Sequence, residues 1–259
     1  MSGEKILELL SLPKDKKTEI HYYETIDSTN TRAKEYAKKR STGTCLPSVF
    51  IAEEQTGGRG RLGRIFHSAR GGVYISFLIY PSATAEKSTA LTAYAAVKLA
   101  EVVKSLVGIE PGIKWVNDLY LGEKKLAGIL TEGEVSQNGK LSFAVCGIGI
   151  NLAKSAIPTG LSSIATSIEE ETGVSLDPAL TAAKIIDAFF SDCDDFLAPR
   201  FLEEYKRLSL TLGREVTVLS EPSYGGVACD ILPDYSLLVN TDGKIRRVYT
   251  GEVSILHKK

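Results

Sequence analysis

Gln55-Thr56-Gly57-Gly58-Arg59-Gly60-Arg61-Leu62-Gly63-Arg64, followed shortly by Val73-Tyr74-Ile75-Ser76-Phe77-Leu78-Ile79-Tyr80, is the stretch whose order of elements decides the fold. Gly58, Gly60 and Gly63 satisfy G-x-G-x-x-G, the dinucleotide fingerprint. That fingerprint needs a strand before it, a helix after it and an acidic residue about 20 positions on. Ser48-Val49-Phe50-Ile51-Ala52 supplies the strand. The helix is missing, because Gly71-Gly72 interrupts the chain and 73–80 reads as a second strand. A doubly wound nucleotide fold is therefore excluded. A P-loop fails as well, since no Gly-Lys-Ser/Thr follows. What remains is a loop carrying Arg59, Arg61 and Arg64 among glycines. Glycine lets backbone approach a ligand closely. Arginine offers planar charged forks for phosphate or carboxylate. The pattern predicts a mobile loop that closes over an anion; a solvated basic hairpin is the plainer alternative.

The chain around it has 259 residues, 43% of them hydrophobic, with mean hydropathy near zero. That suits one large domain, or one large and one small. With 31 basic and 32 acidic residues the formal charge is −1, and no second basic cluster interleaved with aromatics occurs. General nucleic-acid affinity is not expected. No apolar run reaches membrane-spanning length and the first residues lack a signal-peptide profile. Cys45, Cys146, Cys193 and Cys229 form no C-x-x-C pair, so a cytoplasmic protein with reduced thiols is expected. His21, His67 and His257 are too dispersed for a zinc site. Nothing pairs Cys45 with His67 as nucleophile and base.

Element signals describe an α+β chain. A short amphipathic segment spans 4–10, and strand-like 20–23 leads to Ser28 and Thr29, which suit a helix N-cap. A long Ala-rich helix is predicted over 86–107, ended by Gly108. Strand, turn and strand follow over 112–120, then strands at 126–132 and 141–151 across the Asn138-Gly139 hairpin signal. Gly147 and Gly149 fall on one face of the last strand, where something lies flat against it. Helices are expected at 163–171, 179–195 and 200–208. Short strands at 216–218, 227–231, 237–239 and 246–249 follow, with Gly and Pro punctuation. The expected organisation is a domain over 1–211 and a small all-β unit over 212–259.

Five motifs occur in order: Ser28-Thr29-Asn30; Gln55 with the loop from Gly58 to Arg64; Lys114-Trp115-Val116-Asn117-Asp118; Lys125-Leu126-Ala127-Gly128-Ile129-Leu130; and Gly147-Ile148-Gly149-Ile150-Asn151. Together they resemble the biotin protein ligases, or biotin–(acetyl-CoA-carboxylase) ligases, over residues 20–256. Each motif alone is weak; five in sequence are specific. The resemblance implies a mixed sheet with flanking helices, of the class II synthetase and biotin ligase kind, plus a C-terminal SH3-like β-barrel. It also implies a two-step reaction in which biotin and MgATP give biotinyl-5′-AMP, and a lysine of a biotin carboxyl carrier domain then takes the biotinyl group.

By the same resemblance, Ser28, Thr29, Asn30 and Gln55 meet the biotin ureido group, for which hydroxyls and an amide supply donors and acceptors. Gly58, Arg59, Gly60 and Arg61 form the loop that closes over biotin and its adenylate. Arg64 meets the ATP phosphates and Phe66 the adenine. Lys125 reaches both the biotin carboxylate and the α-phosphate, and with Arg59 and Arg61 is expected to be catalytic. Asn117 and Asp118 lie near ATP, with Asp118 a ligand for Mg²⁺. Gly128, Gly147 and Gly149 admit the valeryl chain, and Asn151 sits near the nucleotide. ATP and Mg²⁺ are expected as substrate and activator, with no tightly bound metal.

Two positions depart from the family pattern. Phe66 stands where tryptophan is usual, which removes an N–H donor. Val116 stands where proline is usual, which frees φ. Only about 19 residues precede the first strand, too few for the helix-turn-helix domain of repressor members, so a ligase without DNA or membrane partners is expected. An exposed sheet edge would allow a homodimer. The alternatives are a lipoate–protein ligase or octanoyltransferase of the same fold, whose Arg-Arg-x-x-Gly-Gly-Gly is absent, and an Arg-Gly nucleic-acid binder.

Overall fold

Strand β2 (Ser48–Gln55) sends Val49 and Ile51 to one face and Phe50 to the other, and β3 (Gly72–Ile79) divides Phe77 from Leu78 in the same way. Side chains alternate along a strand, so a strand apolar at every position must be covered on both sides. The computed structural model, which describes residues 1–12, 18–40, 46–249 and 251–255, shows that covering. Cys45 and His257 lie outside the described residues.

The two strands sit in a seven-stranded sheet with β1 (Glu19–Ile26), β4 (Gly112–Lys114), β5 (Asp118–Leu121), β6 (Lys124–Val135) and β7 (Leu141–Asn151). Its order is β1-β2-β3-β7-β6-β5-β4, with β1 parallel to β2 and every other pair antiparallel. On one face pack α3 (Ser88–Val107), α5 (Pro178–Asp192) and α6 (Pro199–Arg207), with α1 (Gly3–Leu9) beside α5. Phe77 stacks on Phe189 with ring centroids 3.8 Å apart. Gly108 ends α3 at φ 74°, a left-handed cap that suits glycine. No helix among the described residues is long and apolar enough to cross a membrane.

Among the described residues, α2 (Thr29–Lys39) is the one helix on the opposite face, covering β2, β3 and β7. Ala33 and Ala37 bring it close to Phe50, Leu78, Phe143 and Val145. Beyond its N-terminus the same sheet face continues as Gly147 and Gly149, two and four residues past Val145. Gly128 of β6 pairs with Gly149, and Leu130 with Gly147. A shallow trough therefore opens on the sheet at the point where α2 begins.

A second, five-stranded antiparallel sheet follows: β8 (Glu215–Val218), β9 (Tyr224–Ile231), β10 (Leu237–Thr241), β11 (Lys244–Val248) and β12 (Val253–Ile255). Its order is β11-β10-β9-β8-β12. The last strand was not expected; it is three residues long and its apolar pattern is too brief to register. Trp115 ties the two sheets together. Its Nε1 donates to the Tyr235 carbonyl at 2.8 Å and its backbone N–H to Thr211 Oγ1 at 2.9 Å. Tyr205 adds a bond from its hydroxyl to the Val116 carbonyl at 3.0 Å. The Trp115–Val116 peptide is cis.

One helix was misplaced. The expected helix at 163–171 is only α4 (Ile168–Thr172), capped by Ser167. Residues 164–166 instead pair with the start of β6: Lys125 N–H donates to the Ile164 carbonyl and Thr166 N–H to the Lys125 carbonyl, both at 2.9 Å. A long-range backbone pairing has outcompeted local helical propensity there. The indole link predicts that Trp115→Phe, which leaves the buried Tyr235 carbonyl without its donor, lowers stability by about 2 kcal/mol in urea unfolding.

Candidate active site

A cleft of ≈ 540 Å³ opens over the glycine trough. Its walls are the start of α2, the arginine loop, the turn at 114–118, the segment 156–165 and residues 251–254 of the second sheet. Ser28, Thr29, Asn30, Gln55, Arg59, Gly60, Arg61, Arg64, Phe66, Asn117, Asp118, Lys125, Gly128, Gly147, Gly149 and Asn151 all line it. Among the residues expected at the site, Gly58 alone is absent from the lining.

The role of Gly58 is in the loop itself. Residues 55–68 form a hairpin, with Gln55 bridged to Ser68 and Arg59 to Ile65. Phe66 N–H donates to the Gly58 carbonyl at 3.0 Å, and Gly60 N–H to the Arg64 carbonyl at 2.7 Å. A β-carbon on Gly58 would stand 2.3 Å from the Phe66 carbonyl oxygen and 2.5 Å from Ser68 Oγ. Leu62 and Gly63 make the tip at φ 54° and 75°.

One end of the cleft is neutral and polar. Ser28 caps α2, its Oγ accepting from Thr31 N–H at 3.4 Å. Gln55 Oε1 accepts from the Thr29 backbone N–H at 2.8 Å and from its hydroxyl at 3.0 Å, while Gln55 Nε2 donates to Ser68 Oγ at 2.9 Å. Ser76 Oγ lies 2.7 Å from Thr29 Oγ1 and 2.6 Å from Asn30 Oδ1. Asn30 Nδ2 donates to the Leu130 carbonyl at 3.2 Å and to Glu132 Oε2 at 2.9 Å. Burial pushes the Glu132 carboxyl up, but hydrogen bonds from Lys34 and Asn30 more than offset it and hold the group below the ordinary range.

The other end is cationic. Lys125 Nζ lies 2.8 Å from Asp118 Oδ1, a buried oxygen with no aligned hydrogen-bond donor. Arg61 Nη1 donates to Asn117 Oδ1 at 3.2 Å, and Asn117 Nδ2 to the Ile129 carbonyl at 2.9 Å. Burial draws the Arg61 guanidinium below its usual value, with Asp118 and Glu252 opposing. Arg64 crosses to the second sheet and pairs with Glu252. Asn151 Nδ2 donates to the Thr166 carbonyl at 3.0 Å, bracing the segment that clamps the Lys125 backbone.

Between the ends, Phe66 lies over the trough. A β-carbon on Gly149 would be 2.4 Å from its ring and one on Gly128 3.1 Å. One on Gly147 would be 2.2 Å from Asn30 Oδ1. Lys125 Nζ sits 5.7 Å from the Phe66 ring centroid. Among the described residues no group of three or more His, Cys, Asp or Glu side chains could hold a metal. Ser68, Ser76, Glu132 and Glu252 were not among the expected site residues. Ser76, inside an apolar strand, was the one visible signal: a lone hydroxyl on a doubly covered strand needs a partner.

Residues 22–151 match the model of the Biotin/lipoate A/B protein ligase family. The chain is 30% identical to the bifunctional ligase/repressor BirA of Bacillus subtilis, over 90% of this chain and 73% of that protein. It is 34% identical to a biotin–(acetyl-CoA-carboxylase) ligase of Paracoccus denitrificans, over 59% of this chain and 63% of that one. Among solved structures, the biotin protein ligase of Aquifex aeolicus in complex with biotin and ATP superimposes with a TM-score of 0.73 at 27% identity, covering 93% of this chain and 99% of that one.

The Arg64–Glu252 pair predicts that Glu252→Gln loosens the hairpin without unfolding the protein. An exposed pair contributes at most about 1 kcal/mol, so trypsin should cut within 59–64 up to about fivefold faster. An unchanged cleavage rate would show that the pair does not restrain the loop.

Proposed function

The chain belongs to the biotin/lipoate A/B protein ligase family, and from that premise we propose that it is an ATP-dependent biotin–protein ligase. The observation that carries this is one cleft with a neutral, hydrogen-bonding end, a side-chain-free trough and a cationic end. Biotin has the matching parts: a neutral cyclic urea, a flexible aliphatic chain and a carboxylate. In the first step a biotin carboxylate oxygen attacks the α-phosphorus of ATP, the bond to the β-phosphate oxygen breaks, and biotinyl-5′-AMP and pyrophosphate form. In the second, a carrier-domain lysine amine attacks the acyl carbon and AMP leaves. The acceptor belongs to a biotin-dependent carboxylase.

Both reactants of the first step are anions, so the site must neutralise charge and hold them in line. Lys125 has the position for this, between the trough and the arginines, with its backbone pinned by Ile164 and Thr166. Asp118 holds its ammonium in place until substrates arrive. Arg61, half-buried against Asn117, is suited to the α-phosphate, and Arg59 to the biotin side of the same loop. Arg64 exchanges Glu252 for the outer phosphates. Ser28, Thr29, Asn30 and Gln55 take the urea, and Gly128, Gly147 and Gly149 the valeryl chain. Phe66, lying over Gly128 and Gly149, moves onto the adenine as the chain enters. A closed hairpin keeps water from the mixed anhydride.

Mg²⁺ fits as a companion of the nucleotide. Asp118 Oδ1, buried without an aligned donor, would give it one oxygen ligand, and phosphate and water oxygens the rest. Bound there, the ion would neutralise phosphate charge. The family also includes lipoate ligases; a urea-sized hydrogen-bonding end favours biotin over a dithiolane, which carries no N–H or carbonyl.

Incubation with MgATP and either biotin or lipoate, followed by mass spectrometry, should yield biotinyl-AMP in stoichiometric amount and no lipoyl-AMP. Its absence would falsify the assignment. Lys125→Ala should slow adenylation by roughly 10²–10³, as for one lost electrostatic donor. Arg61→Ala should speed dissociation of the adenylate in a chase with unlabelled biotin and ATP.

A further inference from the structure

Glu132 stands two residues past Leu130 on β6, opposite Val145, on the sheet face that carries α2 and the trough. Ion pairs between helix and strand link that face to α2 twice: Lys34 to Glu132, and one helical turn later Lys38 to Glu134. The second pair is more exposed on both sides and serves the helix alone. The first continues into the site through Asn30.

We infer that Glu132 is a positioning residue for ligand recognition: it fixes which way the Asn30 amide faces, and so the hydrogen-bond polarity of the urea end of the cleft. This rests on the ligase function proposed above.

A carboxylate accepts and cannot donate. The Asn30 Nδ2 group gives its two protons to Glu132 Oε2 and to the Leu130 carbonyl, at 2.9 and 3.2 Å. A turned amide would put its oxygen against a carboxylate and a carbonyl, three acceptors facing one another. Glu132 forbids that state, and it stays ionised because Lys34 and Asn30 hold its carboxyl low against the opposing effect of burial. Asn30 Oδ1 is thereby an acceptor, set against Gly147, where a β-carbon would come within 2.2 Å. Ser76, 2.6 Å from that oxygen and 2.7 Å from Thr29 Oγ1, has one proton to give and lies fully buried between them. Thr29 in turn donates to Gln55 Oε1, and Gln55 to Ser68. Ser68 donates to the Phe66 carbonyl at 3.0 Å. The carboxylate at one end and the Phe66 carbonyl at the other both draw protons outward, and the two directions meet at Ser76, whose single proton serves Asn30 Oδ1 or Thr29 Oγ1. Ser28, whose Oγ accepts from Thr31, keeps its own proton for a ligand carbonyl. A cyclic urea, with N–H donors beside a carbonyl, meets an acceptor at Asn30 and a donor at Ser28.

Replacing Glu132 with glutamine keeps the shape but supplies an NH₂ that permits the turned amide. The test measures biotin and ATP affinity separately by titration calorimetry. Glu132→Gln should weaken biotin binding by about tenfold or more, the size of a hydrogen bond to a charged group, and leave ATP binding within about twofold. In an Asn30→Ala background the same substitution should change biotin affinity by less than about twofold, because its route is gone. Lys34→Met, measured at about pH 8 so that the carboxyl stays ionised without its ammonium partner, removes the ion pair but keeps the acceptor, and should hold biotin affinity within about threefold even if it melts earlier. Equal weakening of biotin and ATP in Glu132→Gln, full additivity with Asn30→Ala, or a tenfold loss in Lys34→Met would each overturn the inference. A wild type that binds no biotin overturns the ligase function and this inference together. A Glu132→Gln variant that binds biotin as well as the wild type does overturns the inference alone.

Discussion

A β-carbon at Gly147 would stand 2.2 Å from Asn30, and one at Gly149 would stand 2.4 Å from Phe66. Real β-carbons do not approach other atoms so closely, and the rest of the site follows from that constraint. Three glycines on two paired strands leave a sheet face with backbone at its surface. Helix α2 covers the neighbouring part of the same face through small residues, Ala33 and Ala37, and stops short of the glycines. The helix start then falls beside the trough, so a cap serine and the polar residues after it become a ligand wall. Strand alternation places them all: Val145, Gly147 and Gly149 share a face because the period is two.

Charge is arranged along the cleft. Each of the cations placed at its far end already has an oxygen partner: Lys125 has Asp118, Arg61 has Asn117 and Arg64 has Glu252. An anion entering this end would exchange partners with these side chains instead of meeting solvated ones, which is the preorganisation the proposed reaction requires. At the near end the same principle works through neutral groups. Their protons are directed by fixed acceptors, so the ligand meets one pattern of donors and not an average of several.

Much of this was legible in the sequence, and the physical reasons differ by element. The 73–80 run marked a strand because eight apolar or small residues after Gly71-Gly72 leave no helical face, and that single point removed the dinucleotide fold. The caps at Ser28 and Gly108 were legible because capping is local chemistry. Lys125, Gly128 and Asn151 came from motif order, and the structure brings them into one cleft. The failures are all long-range. Residues 164–166 pair with Lys125, which is some 40 positions away in the chain, so no local pattern could displace the helical reading of 163–171. Glu132 and Glu252 look like solvated charges until tertiary contacts bring Asn30 and Arg64 to them. Strand β12 has three residues and exists by virtue of β8.

Trp115 has a further consequence. Its indole N–H ends on the carbonyl of Tyr235, and its backbone N–H on Thr211, while Lys114 before it and Asn117 two residues after it line the cleft. The small second sheet therefore behaves as one side of a mould, not as an attachment. Exchanging it for the corresponding piece of another protein would carry over its own core intact and still misplace the turn at 114–118 unless a carbonyl arrived at the Tyr235 position and a carboxylate at Glu252. Modularity in this chain stops at the level of secondary structure; the wall of the cleft is common property of both sheets.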